Sequence, residues 1–131
     1  MKYMLLTYLN EKAWLAMSPA EQKAEMDKCA PHVERLVAAG KIKDGAPLRE
    51  TSTATTVRAR QGTRMVTDGP FAETREQLGG YYLVDAKDLD EAIAIAARIP
   101  MARKGTVEVR PVIELSGVPE AGGARKERST V

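Results

Sequence analysis

Tyr81-Tyr82-Leu83-Val84-Asp85-Ala86-Lys87-Asp88-Leu89-Asp90-Glu91 (YYLVDAKDLDE) holds two kinds of structure in one short run. Tyr81–Asp85 is the aromatic and aliphatic sequence of a strand. Asp88-Leu89-Asp90-Glu91 then caps a helix, because the Asp88 side chain can accept from the free amides of the first turn. Leu89, Ala92, Ile93, Ala96 and Ile99 form its apolar stripe, and Pro100 stops it. Thr106–Leu115 follows as the clearest strand of the chain: Val107, Val109 and Ile113 alternate with Glu108, Arg110 and Glu114. The second half therefore reads β-α-β.

The first half repeats the pattern. In Lys2–Leu9, Tyr3, Leu5 and Leu9 point one way and Met4, Leu6 and Tyr8 the other. Both faces are apolar, so both must be covered. Ser18-Pro19-Ala20-Glu21 opens a helix with a capping residue, a proline at the first helical position and a glutamate that can close a capping box. Met26, Cys29, Val33 and Leu36 make its stripe, and Gly40 ends it. Pro31 removes one backbone donor and is expected to kink or split it. Lys41–Leu48 is extended or loop. Thr53–Arg60 and Thr63–Thr67 form a hairpin across Gln61-Gly62.

The order β-α-β-β(hairpin)-β-α-β predicts an α+β protein. Its fold would be a ferredoxin-like sandwich, with an antiparallel sheet carrying two helices on one face. The two-sided first strand predicts that a second copy covers the other face, as a homodimer. Residues 1–115 make the domain, and the Gly-, Pro- and charge-rich 116–131 read as a disordered C-terminal tail.

Bulk composition narrows the function. The 131 residues carry 20 Lys+Arg against 18 Asp+Glu, a formal charge of +2. That lacks the massed basic surface of a nucleic-acid binder, and 5% aromatic residues give few stacking platforms for single strands. Cys29 is the only cysteine, which fits a reducing compartment. No segment reads as a cleavable leader or a membrane span, so a cytoplasmic protein is expected. One His and one Cys cannot make a structural zinc site or a three-histidine metal site in one chain. No Ser/His/Asp triad or phosphate-binding glycine loop is present, and no metal or cofactor is expected.

The run TDGPFAETREQLGGYYLVDA (67–86) resembles the signature of the DGPF proteins, a branch of the YCII-related superfamily. KYMLLTY near the start and GTVEVRPV near the end resemble the family's first and last strands. The likeness extends over Met1–Leu115, with Arg75 standing where relatives more often have Lys. It implies a dimeric α+β barrel related to small isomerases, lactone-handling enzymes and cofactor-free monooxygenases. It also implies an association of some members with extracytoplasmic-function sigma factors. HVERLVAAGKIKDGAPL resembles the YCII pattern that contains the histidine of a His–Asp dyad, which places that histidine at His32. The dyad aspartate corresponds to Ile99, which cannot orient an imidazole.

Asp68 is the carboxylate that could take the missing place, either as partner of His32 or as ordinary Asp-Gly-Pro turn chemistry. Gly69, Pro70, Phe71, Glu73, Arg75, Glu76 and Gly80 complete the candidate ligand-binding set. The alternatives weighed against that set are surface ion pairs among Glu73, Arg75 and Glu76, and Phe71 as an anchor to the core. Two functions follow. One is binding of a small organic molecule, with cofactor-free isomerisation or elimination by proton transfer at His32 assisted by Asp68. The other is a non-catalytic accessory or regulatory module acting beside a sigma factor.

Overall fold

The computed structural model describes residues 1–99 and 104–115; the Pro100 stop and the tail from 116 lie outside the described residues. The elements in order are β1 (Lys2–Leu9), α1 (Glu11–Ala16), α2 (Pro19–Ala38), β2 (Ile42–Pro47), β3 (Thr55–Arg60), β4 (Thr63–Asp68), β5 (Gln77–Asp85), α3 (Leu89–Ala97) and β6 (Gly105–Pro111). Four strands form one sheet in the order β2-β5-β1-β6, and all neighbours are antiparallel. This is the ferredoxin-like arrangement: each half contributes one central and one edge strand. The β3–β4 hairpin is a separate two-stranded sheet inserted between β2 and β5.

Local chemistry fixes most boundaries. Ser18 Oγ accepts from the Glu21 amide at 3.1 Å, and the Ser18 amide donates to the Glu21 carboxylate at 3.3 Å, closing the capping box. Asp88 accepts from the Glu91 amide at 2.9 Å. Gln61 and Gly62 sit at φ 51° and 77°, the left-handed pair that matches a hairpin's twist. Two expectations need correction. Helix α2 runs unbroken through Pro31; Pro31 and Asp27 both lie on the exposed side, where the carbonyl deprived of a donor is solvated. Helix α1 was not foreseen; Asn10 caps it by accepting from the Ala13 amide at 3.1 Å.

Strand alternation sorts the sheet into two faces. Tyr3, Leu5 and Thr7 are buried toward the helices, with Val84 and Gly80 opposite Tyr3 and Thr7 on β5. Ala92, Ile95 and Ala96 of α3, with Ile99 just beyond its end, close the core. Val33 and Leu36 pack on it from the C-terminal half of α2. The other sheet face carries the cross-strand pairs Met4–Leu83 and Leu6–Tyr81, all half-buried. Among the described residues no helix is long and apolar enough to cross a membrane.

Candidate functional site

The N-terminal half of α2 stands off the sheet. Met26 is 55% exposed although it belongs to the helix's apolar stripe. Beneath it, between α1, α2 and strands β1, β2 and β5, lies a cavity of about 380 Å³. Thr7 and Leu9 come from β1, Trp14 from α1, Cys29 and Val33 from α2, and Gly80 and Tyr82 from β5. A second hollow of about 410 Å³ shares Leu9, Trp14, Met26 and Cys29 with it. Few polar groups enter the wall. Glu11 is held by Thr51, which donates from its amide at 3.1 Å and from its hydroxyl at 2.8 Å. Burial, and then the neighbouring Glu25, push the Cys29 thiol above its ordinary value. Cys29 is therefore a protonated, soft surface rather than a nucleophile at neutral pH. Burial likewise raises Tyr82 and keeps its hydroxyl neutral.

His32 faces elsewhere. It is 9% exposed and lines a cavity of about 330 Å³ with Glu25, Lys28, Arg35, Ala97, Arg98 and Lys104. Its Nε2 is buried with no hydrogen-bond partner among the described residues. Burial holds its pKa below the ordinary value, and Arg98 and then Arg35 reinforce this. Protonation is thus more favourable in the unfolded chain, so this group costs stability as pH falls through the unfolded value, about 6.5.

Asp68 is the last residue of β4, pairs with Thr55 and is exposed. It does not line the His32 cavity, so the described chain does not bring the two together. Gly69, at φ 96°, is fixed by turn bonds: its amide donates to Ala54 O and its carbonyl accepts from Thr56 Oγ1, both at 2.7 Å. Pro70 and Phe71 border a small hollow with Arg58 and Met65. Phe71 is 72% exposed and does not anchor the loop to the core. Its ring is covered by the Arg58 guanidinium, 4.9 Å from the centroid, which stabilises an aromatic outside the core. Glu73 and Arg75 are exposed, and no ion pair joins them or Glu76 among the described residues. Glu76 instead accepts from Thr106 Oγ1 at 2.7 Å, tying this loop to β6. Of the candidate ligand set, Gly80 lies on the 380 Å³ cavity.

The profile of the YCII-related domain matches residues 1–116. The chain belongs to the YCII-related family. A protein of Rhizobium meliloti (strain 1021), described as uncharacterized, is 40% identical over 114 residues, which is 86% of this chain and 92% of that one. A solved structure is also similar: the 5-chloro-2-hydroxyhydroquinone dehydrochlorinase of Burkholderia phenoliruptrix AC1100 in complex with 2,5-dihydroxybenzoquinone. It is 17% identical, covers 86% of this chain and 94% of its own, and superposes with a TM-score of 0.45.

In this YCII-related protein the main cavity is built largely from residues outside the signature motif. Trp14, Met26, Cys29 and Leu48 line it from outside the motif, and Gly79, Gly80, Tyr81 and Tyr82 line it from within. The apolar stripe on α2 was the available signal: its N-terminal members, Met26 and Cys29, line both hollows.

Proposed function

We propose that this YCII-related protein binds a small, largely apolar organic molecule in the cavity beneath α1 and α2. The observation that carries the reading is the cavity itself. About 380 Å³ walled by Leu9, Trp14, Cys29, Val33, Leu48 and Tyr82 is within the range that encloses small ligands, and a few polar groups suffice for orientation. Trp14 is the only tryptophan, so its emission reports occupancy directly. A panel of substituted benzenes should give at least one saturable change in that emission. Cys29→Phe, which fills the hollow from a half-exposed position, should weaken that binding by about tenfold or more, roughly 1.4 kcal/mol. A panel with no saturating member, or a Cys29→Phe protein that binds equally well, would remove the proposal.

Proton transfer by His32 with Asp68 is a separate, catalytic reading, and it would act on a molecule in the His32 cavity, because His32 does not line the apolar one. It requires a second copy, since Asp68 of the same chain is elsewhere. The half-buried Met4, Leu6, Tyr81 and Leu83 on the open sheet face support such a copy and the dimeric α+β barrel it would complete. The expected result is a dimer in sedimentation and a His32 titration that moves in Asp68→Ala. A monomer, or a titration indifferent to Asp68, sinks the catalytic reading and leaves ligand binding. An accessory role beside a sigma factor is another reading, favoured by the exposed Val57, Val66 and Phe71 on and beside the hairpin. It requires a protein partner, rather than a small molecule, to raise the thermal midpoint.

A further inference from the structure

The cavity at His32 differs in chemistry from the apolar one and shares no wall residue with it. Among the described residues four cations border it: Lys28 and Arg35 from α2, Arg98 at the C-cap of α3, and Lys104 just before β6. One carboxylate among the described residues faces them. Glu25 accepts from Lys28 at 3.2 Å and from Lys104 at 3.1 Å and so occupies both lysines. Arg35 and Arg98 have no carboxylate partner among the described residues. The C-terminal dipoles of α2 and α3 favour a cation at Arg35, in the last turn of α2, and at Arg98, the C-cap of α3, but they do not explain the unpartnered imidazole that lies with them on one cavity. A buried ring nitrogen without a partner is unfavourable, and here it forms part of the wall of a cavity that both of these guanidinium groups also border.

We propose that this cavity binds a tetrahedral oxyanion carried on a small organic molecule, a phosphate monoester, with Arg35 and Arg98 neutralising its charge and His32 donating to one of its oxygens. Guanidinium groups present paired donors that match phosphate oxygens. The volume of about 330 Å³ corresponds to roughly ten waters at about 30 Å³ each, more room than an inorganic phosphate alone would fill. Electrostatics agree with the geometry. Arg98 and Arg35 help hold the imidazole below its ordinary pKa; an anion seated between them offsets that repulsion and favours the protonated ring. Among the described residues the charged groups facing His32 are Glu25, Lys28 and Arg35 from its own helix, Arg98 at the C-cap of α3 and Lys104 ahead of β6.

The His32 imidazole resonances, unique in this chain, provide the test on the full-length protein. Sulfate, glycerol phosphate and inorganic phosphate are titrated against a sodium chloride control at equal ionic strength. Sulfate remains a dianion across the histidine range and should move the His32 titration midpoint upward in a saturable way. Glycerol phosphate should saturate the same shift at lower concentration than inorganic phosphate. Arg35→Gln and Arg98→Gln are exposed substitutions, and each should weaken the response by about tenfold. A shift that follows ionic strength alone, or one that survives both substitutions, overturns the site. Equal binding of inorganic and organic phosphate overturns the organic ligand. Because Trp14 lines the other cavity, failure here leaves the apolar site standing, and the reverse also holds.

Discussion

Ile99→Asp is expected to lower the free energy of unfolding by about 5 kcal/mol, from lost burial together with an unpaired polar group in the core. Ile99 is 1% exposed and belongs to the cluster that contains Leu5, Val84 and Ile95. Asp would take away that apolar contact. It would also place a carboxyl where it must either ionise among hydrocarbon or remain protonated without a partner. Urea unfolding reads the difference, with Ile99→Val as a control that should cost only about 1 kcal/mol. The position matters for function because it corresponds to the dyad aspartate implied by the YCII resemblance. An Ile99→Asp protein that unfolds at the ordinary midpoint and raises the His32 pKa would show that the dyad geometry is accessible here after all. The expected result is a protein that loses its fold before it gains a dyad.

Gly105→Ala should cost about 2–3 kcal/mol, a typical cost of overpacking. Gly105 pairs with Leu9 where β6 meets the end of β1. A Cβ there would collide with the Tyr8 carbonyl oxygen and come within 3.2 Å of the Leu9 Cα. Backbone, unlike a flexible side chain, cannot swing aside, so the two strands must separate locally. Amide exchange at Thr106 and Val107 should accelerate along with the loss of stability. An unchanged unfolding midpoint would mean that the strand end yields without cost, and would remove the argument.

The readable parts of this fold were the local ones. Ser18 with Glu21, Asp88 with Glu91, and Gln61-Gly62 each fix a boundary through atoms only a few residues apart, and the apolar alternation of Lys2–Leu9 was enough to bound β1. Once those elements were placed, their order led to the sheet. Helix α1 was hidden because it is short, and distant contacts help hold it: the Glu11 amide donates to Gln77 at 3.0 Å, and the Glu11 carboxylate holds Thr51. The stripe Met26-Cys29-Val33-Leu36 shows a different limit. Periodicity identifies which side of a helix is apolar, but not whether the sheet closes against it. Here Val33 and Leu36 close and Met26 does not. Phe71 invited a core reading by composition alone, whereas Arg58, from the neighbouring strand, satisfies it at the surface. His32 stood out as the single histidine, but Arg98, which shapes its electrostatics, comes from the other half of the chain.

The hairpin between β2 and β5 leaves and rejoins the sheet at adjoining points. Pro47 is paired with Gly80, and the Leu48 amide donates to the Gly79 carbonyl at 2.8 Å. The excursion is therefore already closed at its base, and lengthening it adds only the slowly growing entropy of a longer loop. The pairing of β2 on β5 does not depend on the length of the hairpin arms, β3 and β4, which form a sheet of their own. Insertions and exchanged turns can accumulate at the hairpin's tip around Gln61-Gly62 without altering the register of β2 on β5 or reaching Leu48, Arg49 and Glu50, which line the apolar cavity.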